Sequence, residues 1–541
     1  MGNSNLFGLD VLSILVLAPA FGALLVVALP RNPWLGRIVS LTIALAIGVL
    51  ATLVFFSYDR TNPNMQFTSE TQWFALLGST WNVGIDGISA TMVLLTGILV
   101  PLGILVPLAI LISWEIEDRV NVHLALILFF ETGLMGVFIA QDLMIFFLFY
   151  ELSLVPIYFL IDQWGGKNRK YAATKFMIYS IGGTLGMLLA TQLIGWTAGT
   201  FNIKELTVLW PQFDGTGGTG IFLGIDIETV KALAFVGFFI AFCIKVPIFP
   251  FHTWLPDAHG EAPTAGSMLL AGVMLKLGAY GFIRLVVPLF PDVWVADIGL
   301  LGLNITWAGL FAFLAMLGIV LGAFAAFAQT DIKRLVAYSS VNHMGFVALG
   351  IAVMATVYGQ AYVNGSTTPE MMQSGIIAAN GAVMQMFNHG LSSAGMFLLA
   401  GAIYHKTHTR DLREYGGLWV KAPIYGGIFI FTSMASLGLP GLNGFIGEFL
   451  VVRGAFPVFT WLTIFSMLGL LFTGAYILKG IRAVLHGPFN MRWRDTNVEI
   501  ELREFIAIAP LMILILITGI FPNWVLYVIN NSVTLMMQGL S

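Results

Sequence analysis

The sequence predicts an all-α integral membrane protein of about fourteen transmembrane helices, with two inverted five-helix repeats that each contain a broken helix. Three observations carry this. Of the 541 residues, 58% are hydrophobic and 10% charged, and the mean hydropathy is +0.89. No soluble core absorbs that much apolar surface. Apolar runs near the ~20 residues needed to cross a bilayer recur along the whole chain. Two runs are broken by proline close to an ionisable group, at Lys245-Val246-Pro247 and at Leu439-Pro440-Gly441 ahead of Glu448. Interrupted helices in matching places of two halves point to a site between inverted repeats.

In chain order, the runs fall near 10–29, 37–56, 88–113, 122–140, 142–161, 171–196, 230–251, 262–289, 301–328, 333–355, 374–401, 423–451, 456–484 and 504–530. Gln141 separates one close pair and Gln329 another. These group into an N-terminal unit over 1–121, a first five-helix repeat over 122–289, a second over 290–486, and a last helix within 487–541. The first helix is expected to remain in the mature chain, because no basic segment precedes its apolar run. Leu6 stands where myristoylation would want Ser or Thr. Two polar stretches interrupt the pattern, Ser57–Gly84 and Thr200–Glu228. Within the second, FNIKELTVLW is expected on the membrane surface. The DGTGGTG that follows is a poor phosphate loop, since no strand precedes it and no GK[ST] follows. One cysteine, Cys243, excludes a disulfide framework and any cysteine-ligated cluster within the chain.

The placement of charge sets the orientation. With the N-terminus outside, the inner loops hold roughly eighteen Lys and Arg, among them Arg119, Arg169, Lys333, Arg410, Lys421 and Arg492. The outside keeps about five: Arg60, Lys204, Lys231, Arg284 and Arg453. Positive charge concentrates on the inner side of membrane proteins, so both termini are expected on the outer side.

With the loops set aside, the ionisable groups read inside helices are Glu131, Glu151, Lys245, Lys276, His343, His389 and Glu448. The two lysines lie in FCIKVPIFPFHTWLPDAHGEAPTAGSMLLAGVMLKLG, a stretch softened by Pro247, Pro250, Gly266, Gly272 and Gly278. A mid-bilayer lysine costs roughly 2.5–3.5 kcal/mol on insertion scales. Broken helices also free backbone groups that must find protein or water. The combination points to a locally hydrated path for ions, protons above all. Glu151 reads as a proton-transfer group or as the counter-ion that holds Lys245, and the two roles are compatible. Closing that pair favours a protonated Lys245 and opening it favours release. Lys276 is the next acceptor along the midplane. His343 and His389 stand beside small and hydroxyl residues, and read either as hydrogen-bonding glue or as a relay, since imidazole both accepts and donates a proton. Glu131 reads equally as a helix–helix hydrogen bonder, and Lys333 is an auxiliary candidate. His252 and His259 flank a loop with Asp257 and Glu261, but their seven-residue spacing matches no familiar metal-ligand pattern.

These strings resemble those of the antiporter-like membrane subunits of respiratory complex I, in particular the M-type or chain 4 branch. The match runs from GIDGIS at Gly84–Ser89 to GFIGEF at Gly444–Phe449. Its most specific parts are YELSLVP, KVPIFPFHTWLPDAHGEAPTAGS, VMLKLGAYG, DIKRLVAYSSVNHMGF and HTRDLREYGGLW. The resemblance implies that Glu151 pairs with the broken-helix Lys245 and that Lys276 is the central-axis lysine. It makes His343 and His389 the connecting histidines and Glu448 the terminal residue of the second half-channel. A glutamate there, where the L- and N-type subunits carry lysine, favours the M type, as does the short stretch after the last run.

The resemblance further implies no flavin, iron–sulfur cluster, quinone or nicotinamide site in this chain, with those groups in partner subunits. The expected partners are L- and N-type membrane subunits and the lipid bilayer, with no nucleic acid. The expected location is a bacterial plasma membrane or a thylakoid-type membrane. The expected function is therefore proton translocation driven by quinone reduction elsewhere in the complex. The alternatives are a subunit of a multi-subunit Na+/H+ antiporter and a ferredoxin-driven relative.

Overall fold

A computed structural model of the chain describes residues 10–30, 32–62, 64–74, 76, 78–105, 116–215, 218–222, 224–299 and 304–539. Met1 to Leu6, Arg31, the centre of DGTGGTG at 216–217 and the end of the 88–113 run lie outside the described residues. Among the described residues, twelve helices are long and apolar enough to cross a bilayer. They overlap twelve of the expected runs. Helix Pro369–Thr407 occupies the 374–401 run, and helices Pro423–Leu437 and Asn443–Ala455 share the 423–451 run. The chain is an integral membrane protein.

Polar residues end the helices where the four unsatisfied backbone N–H groups of each N-terminus need partners. Asp142 accepts from the N–H groups of Met144 (2.9 Å) and Ile145 (3.1 Å), which starts helix Leu143–Leu152. The same carboxylate accepts from Ser79 Oγ and the Thr80 N–H, both at 3.0 Å. It thereby fastens an antiparallel hairpin, Gln66–Phe74 with Ser79–Ile85, to the helix ends. The second polar stretch forms helix Ile203–Gln212, capped by Asn202, and a short pair Ile221–Phe222 with Ile225–Asp226.

Proline moves two helix boundaries. The 230–251 run is helical only from Ile227 to Lys245, and residues 246–253 form turns around Pro247 and Pro250. The 504–530 run breaks at Phe521-Pro522 into Leu502–Ile520 and Asn523–Gln538. The ring of a helix-interior proline removes a donor and clashes with the carbonyl four residues earlier. The stretch expected to trail the last span is thus helical as far as Gln538.

Contacts sort the loops onto two ends of the bundle. At one end Lys175 and Arg334 both pair with Asp257 (2.7 and 3.1 Å), and Arg410 pairs with Asp331 (3.1 Å). At the same end Lys406 pairs with Glu504 (2.6 Å), and Lys479 donates to the carbonyls of Phe327 and Gln329. At the other end Ser532 Oγ accepts from the Gly87 N–H (2.8 Å), and Leu143 N–H donates to the Phe201 carbonyl. The basic loops therefore share one face, as their positions in the sequence anticipate. At the centre stands Thr264–Leu289, in which every residue is buried. Peripheral helices instead present Leu189, Trp461 and Leu471, each about 70% exposed, as surfaces suited to lipid or neighbouring subunits.

Arg284 is not an outer-loop charge. It lies in the central helix, 2.5 Å from Asp86 at the base of helix Gly87–Leu105, with its Nε donating to Tyr280 Oη (3.2 Å). Arginine keeps its proton in proteins, so a buried guanidinium must be paired. Asp86→Ala should lower stability by about 3–5 kcal/mol, the usual result of stranding one partner of a buried pair. A reduced unfolding midpoint of the purified protein, against an unchanged one for Glu70→Ala on the exposed hairpin strand, checks this.

Candidate functional site

The first broken helix ends at Lys245, which is 2% exposed. Its Nζ lies 4.6 Å from the centre of the Tyr150 ring and has no hydrogen-bond partner among the described residues. A cation over an aromatic face is stabilised by the ring quadrupole. Glu151 is next in the chain, and its carboxylate feels Thr184 and Lys245 as neighbours. Consecutive helical side chains diverge by about 100°, so Lys245, lying on the Tyr150 side, makes no contact ion pair with Glu151. The expected counter-ion is an electrostatic neighbour, and in this arrangement the pair is open. Gly278 lies against this turn: a Cβ there would stand 2.9 Å from Lys245 Cβ and 3.0 Å from the Phe242 carbonyl oxygen. The backbone of the Lys276 helix thus packs directly on Lys245.

Lys276 begins a line of buried polar side chains. Residues Leu270–Met274, just before it, form a π-helical segment, and the widened turn leaves the Ala271 carbonyl to accept from Lys276 Nζ at 2.5 Å. The same Nζ lies 2.9 Å from His389 Nδ1. Two glycines permit that approach, since a Cβ on Gly390 would stand 2.9 Å from the Gly272 carbonyl oxygen and 2.7 Å from Leu95. His389 Nε2 is 3.1 Å from Ser340 Oγ, and the His389 and His343 ring centres are 5.6 Å apart. His343 Nδ1 then lies 2.8 Å from Glu448 Oε1, which also accepts from Gln385 Nε2 at 3.1 Å. Tyr476 Oη stands 3.4 Å from His343 Nε2. Lys276, His343, His389 and Glu448 are all buried.

The structure sets the order of the two histidines along this line. His389 meets Lys276 and His343 meets Glu448 because helix Pro369–Thr407 lies beside the central helix, whereas His343 faces the second broken helix. That helix stops at Gly438, whose φ of +80° suits glycine, and restarts at Asn443. Asn388 Nδ2 donates to the Asn443 carbonyl (2.6 Å), and Asn443 Nδ2 donates to the Asn388 carbonyl (3.1 Å). This reciprocal pair pins the restarted helix beside His389 and places Glu448 at the end of the line.

Glu131 is fully buried, and neither carboxylate oxygen has a hydrogen-bond partner among the described residues, so it does not act as a helix–helix hydrogen bonder in this arrangement. Lys333 is buried at the basic face, donating to the Ala262 carbonyl (3.1 Å) with its Nζ 5.7 Å from the Tyr404 ring centre. Asp257 and Glu261, beside His252 and His259, are engaged by Lys175, Arg334 and Arg410. Among the described residues no three His, Cys, Asp or Glu side chains converge as metal ligands would. Sequence reasoning passed over Tyr150, Gln385 and Tyr476. Gln385, one turn from His389 in a span, is a usable signal; the tyrosines, ordinary in apolar helices, give none.

The line gathers a buried lysine, two imidazoles and a carboxylate, side chains of the kinds that in general both bind and release protons. Residues 140–368 and 364–473 match the family model described as NADH:quinone oxidoreductase/Mrp antiporter, TM. The NADH-quinone oxidoreductase subunit M of Rhodobacter capsulatus is 38% identical over 536 residues, covering 98% of this chain and 96% of that protein. A chain of respiratory complex I from Thermus thermophilus superposes with a TM-score of 0.79 at 28% identity, covering 98% of this chain and all of that one. A chain of the Mrp complex from a Dietzia species shares the fold, with a TM-score of 0.74 at 21% identity over 97% of this chain and 51% of that one. By matched sequence over most of its length and by fold, the chain belongs to the family of membrane subunits of NADH:quinone oxidoreductases and Mrp antiporters.

Proposed function

We propose that this chain is a proton-translocating membrane subunit of an NADH:quinone oxidoreductase of the complex I type. Quinone reduction in partner subunits drives the transfer, and the chain holds no redox site of its own. The observation that carries this reading is the line from Lys276 to His389, across a 5.6 Å separation of ring centres to His343, and on to Glu448 inside an apolar bundle. Protons enter from the basic face, taken as the inner side, pass along this line and leave outward beyond Glu448. Opening and closing of Glu151 on Lys245 gates the transfer. Both termini lie on the outer side, and the neighbours are L- and N-type membrane subunits.

The test is purification of the tagged chain from native membranes in mild detergent, followed by an absorbance scan. Co-purifying flavin and iron–sulfur centres in a preparation that reduces quinone are the expected result. A colourless complex whose only activity after reconstitution is sodium-dependent proton exchange would overturn it in favour of an antiporter.

A further inference from the structure

Lys276 is fully buried, so a proton bound for it must pass through the protein interior. A cavity of about 660 Å3 opens at the basic face, lined in part by Gly260, Glu261, Ala262, Lys333, Tyr404 and Arg410. His259 immediately precedes this lining and is itself fully buried. Neither ring nitrogen has a hydrogen-bond partner among the described residues. The ring stacks on Phe397, with centres 4.6 Å apart and planes 7° from parallel. Phe397 sits eight residues along the same helix from His389, a rise of about 12 Å. The two charges that act on His259 are Lys333, at the cavity, and Lys276, at the head of the relay. The turn that carries it is held by Ser267 Oγ donating to the His259 carbonyl (3.1 Å), while Lys333 holds the Ala262 carbonyl.

We propose that His259 is the proton carrier between the basic-face cavity and Lys276. The inference rests on the proton-translocation reading above. An imidazole with both nitrogens unsatisfied in a buried site is costly, and a proton relay is a use that keeps both nitrogens available. Burial, and after it the Lys333 and Lys276 charges, lowers the imidazole pKa to about 3, so the ring rests neutral. Transfer then balances without a charged intermediate. One nitrogen takes a proton arriving from the cavity as the other gives its own proton toward Lys276, directly or through one water. A half-turn of the ring, which returns it to the same plane over Phe397, restores the starting tautomer.

The experiment compares His259→Gln, His259→Ala and Lys276→Ala in the intact complex, reading quinone reduction and proton uptake in membrane vesicles with and without added imidazole. The expected result is a fall of about 10²-fold in each variant, the scale of a lost proton carrier. Imidazole, small enough for the cavity, should restore much of the rate in His259→Ala and none in Lys276→Ala. Near-normal rates in His259→Gln beside an inactive Lys276→Ala would place the entrance elsewhere and leave the translocation reading standing. Normal rates in all three would overturn that reading too. A loss in His259→Ala that imidazole does not restore, in a chain present in the complex at normal amount, would make His259 merely structural. Should His259→Ala fail to assemble, the rates of His259→Gln decide the question.

Discussion

Replacing Lys276 with alanine should reduce coupled quinone reduction and proton transfer by about 10²-fold or more while leaving the complex assembled. The size of the effect follows from geometry. Lys276 Nζ makes hydrogen-bond contacts to the Ala271 carbonyl and to His389 Nδ1. Alanine removes the amine that contacts His389 Nδ1, so the proposed relay loses its first member. The fold should tolerate the change, because the central helix is held by apolar packing along its whole buried length. Removing a lone buried ammonium also relieves a desolvation cost. Lys276→Arg makes the informative comparison. A guanidinium is a planar fork that does not give up its proton, so it should assemble and remain inactive. Recovery of proton transfer in Lys276→Arg would show that only positive charge is needed there, and the relay would have to be abandoned.

Glu448→Gln should produce a loss of similar size with almost no structural change. The amide is nearly isosteric with the carboxylate. Its oxygen can still accept from Gln385 Nε2 and lie against His343 Nδ1, where Glu448 Oε1 stands 3.1 and 2.8 Å away. What disappears is the ability to take a proton from His343 and release it outward. The substitution therefore separates shape from chemistry: an unchanged unfolding midpoint with about 10²-fold slower proton transfer is the expected pair of results. Glu448→Ala is less informative, since it also strands His343 and opens space beside the break at Gly438, where Glu448 Oε2 lies close. Wild-type proton transfer in Glu448→Gln would place the outward step on another group.

The two broken helices explain why such a line is possible in a bilayer. Continuous helices satisfy their own backbone and exclude polar partners, whereas a break frees carbonyls and N–H groups that must be paired inside the protein. Here the reciprocal Asn388–Asn443 bonds at one break, and the bond from Trp254 Nε1 to the Ile244 carbonyl (2.9 Å) at the other, meet part of that need. Around them, ionisable side chains come together inside the bundle. Arg284 and Asp86 show the opposite use of buried charge, a fixed pair that joins the central helix to Gly87–Leu105.

Much of this molecule is determined locally, and so could be read from the sequence. Apolar runs become helices wherever the chain must satisfy its backbone in lipid. Proline marks the breaks after Lys245 and Ile520, whereas Pro19, Pro101 and Pro510 lie inside continuous helices. The Lys and Arg placement assigned the loops to two sides, and their contacts do gather them on two faces. Glu151, Lys245, Lys276, His343, His389 and Glu448 stood out because ionisable groups are rare in such runs. The tertiary structure alone decided which of them meet. His389, not His343, follows Lys276, because the Gly272–Gly390 approach brings those two helices together. Lys245 lies on Tyr150 and not against Glu151, because adjacent residues of one helix face different ways. Arg284 is buried rather than looped, because Asp86, far away in sequence, waits at the other end of the pair. Each of these depends on the rotation and register of helices packed from distant parts of the chain. A bilayer dictates that helices form, but only side-chain packing between them sets which faces touch.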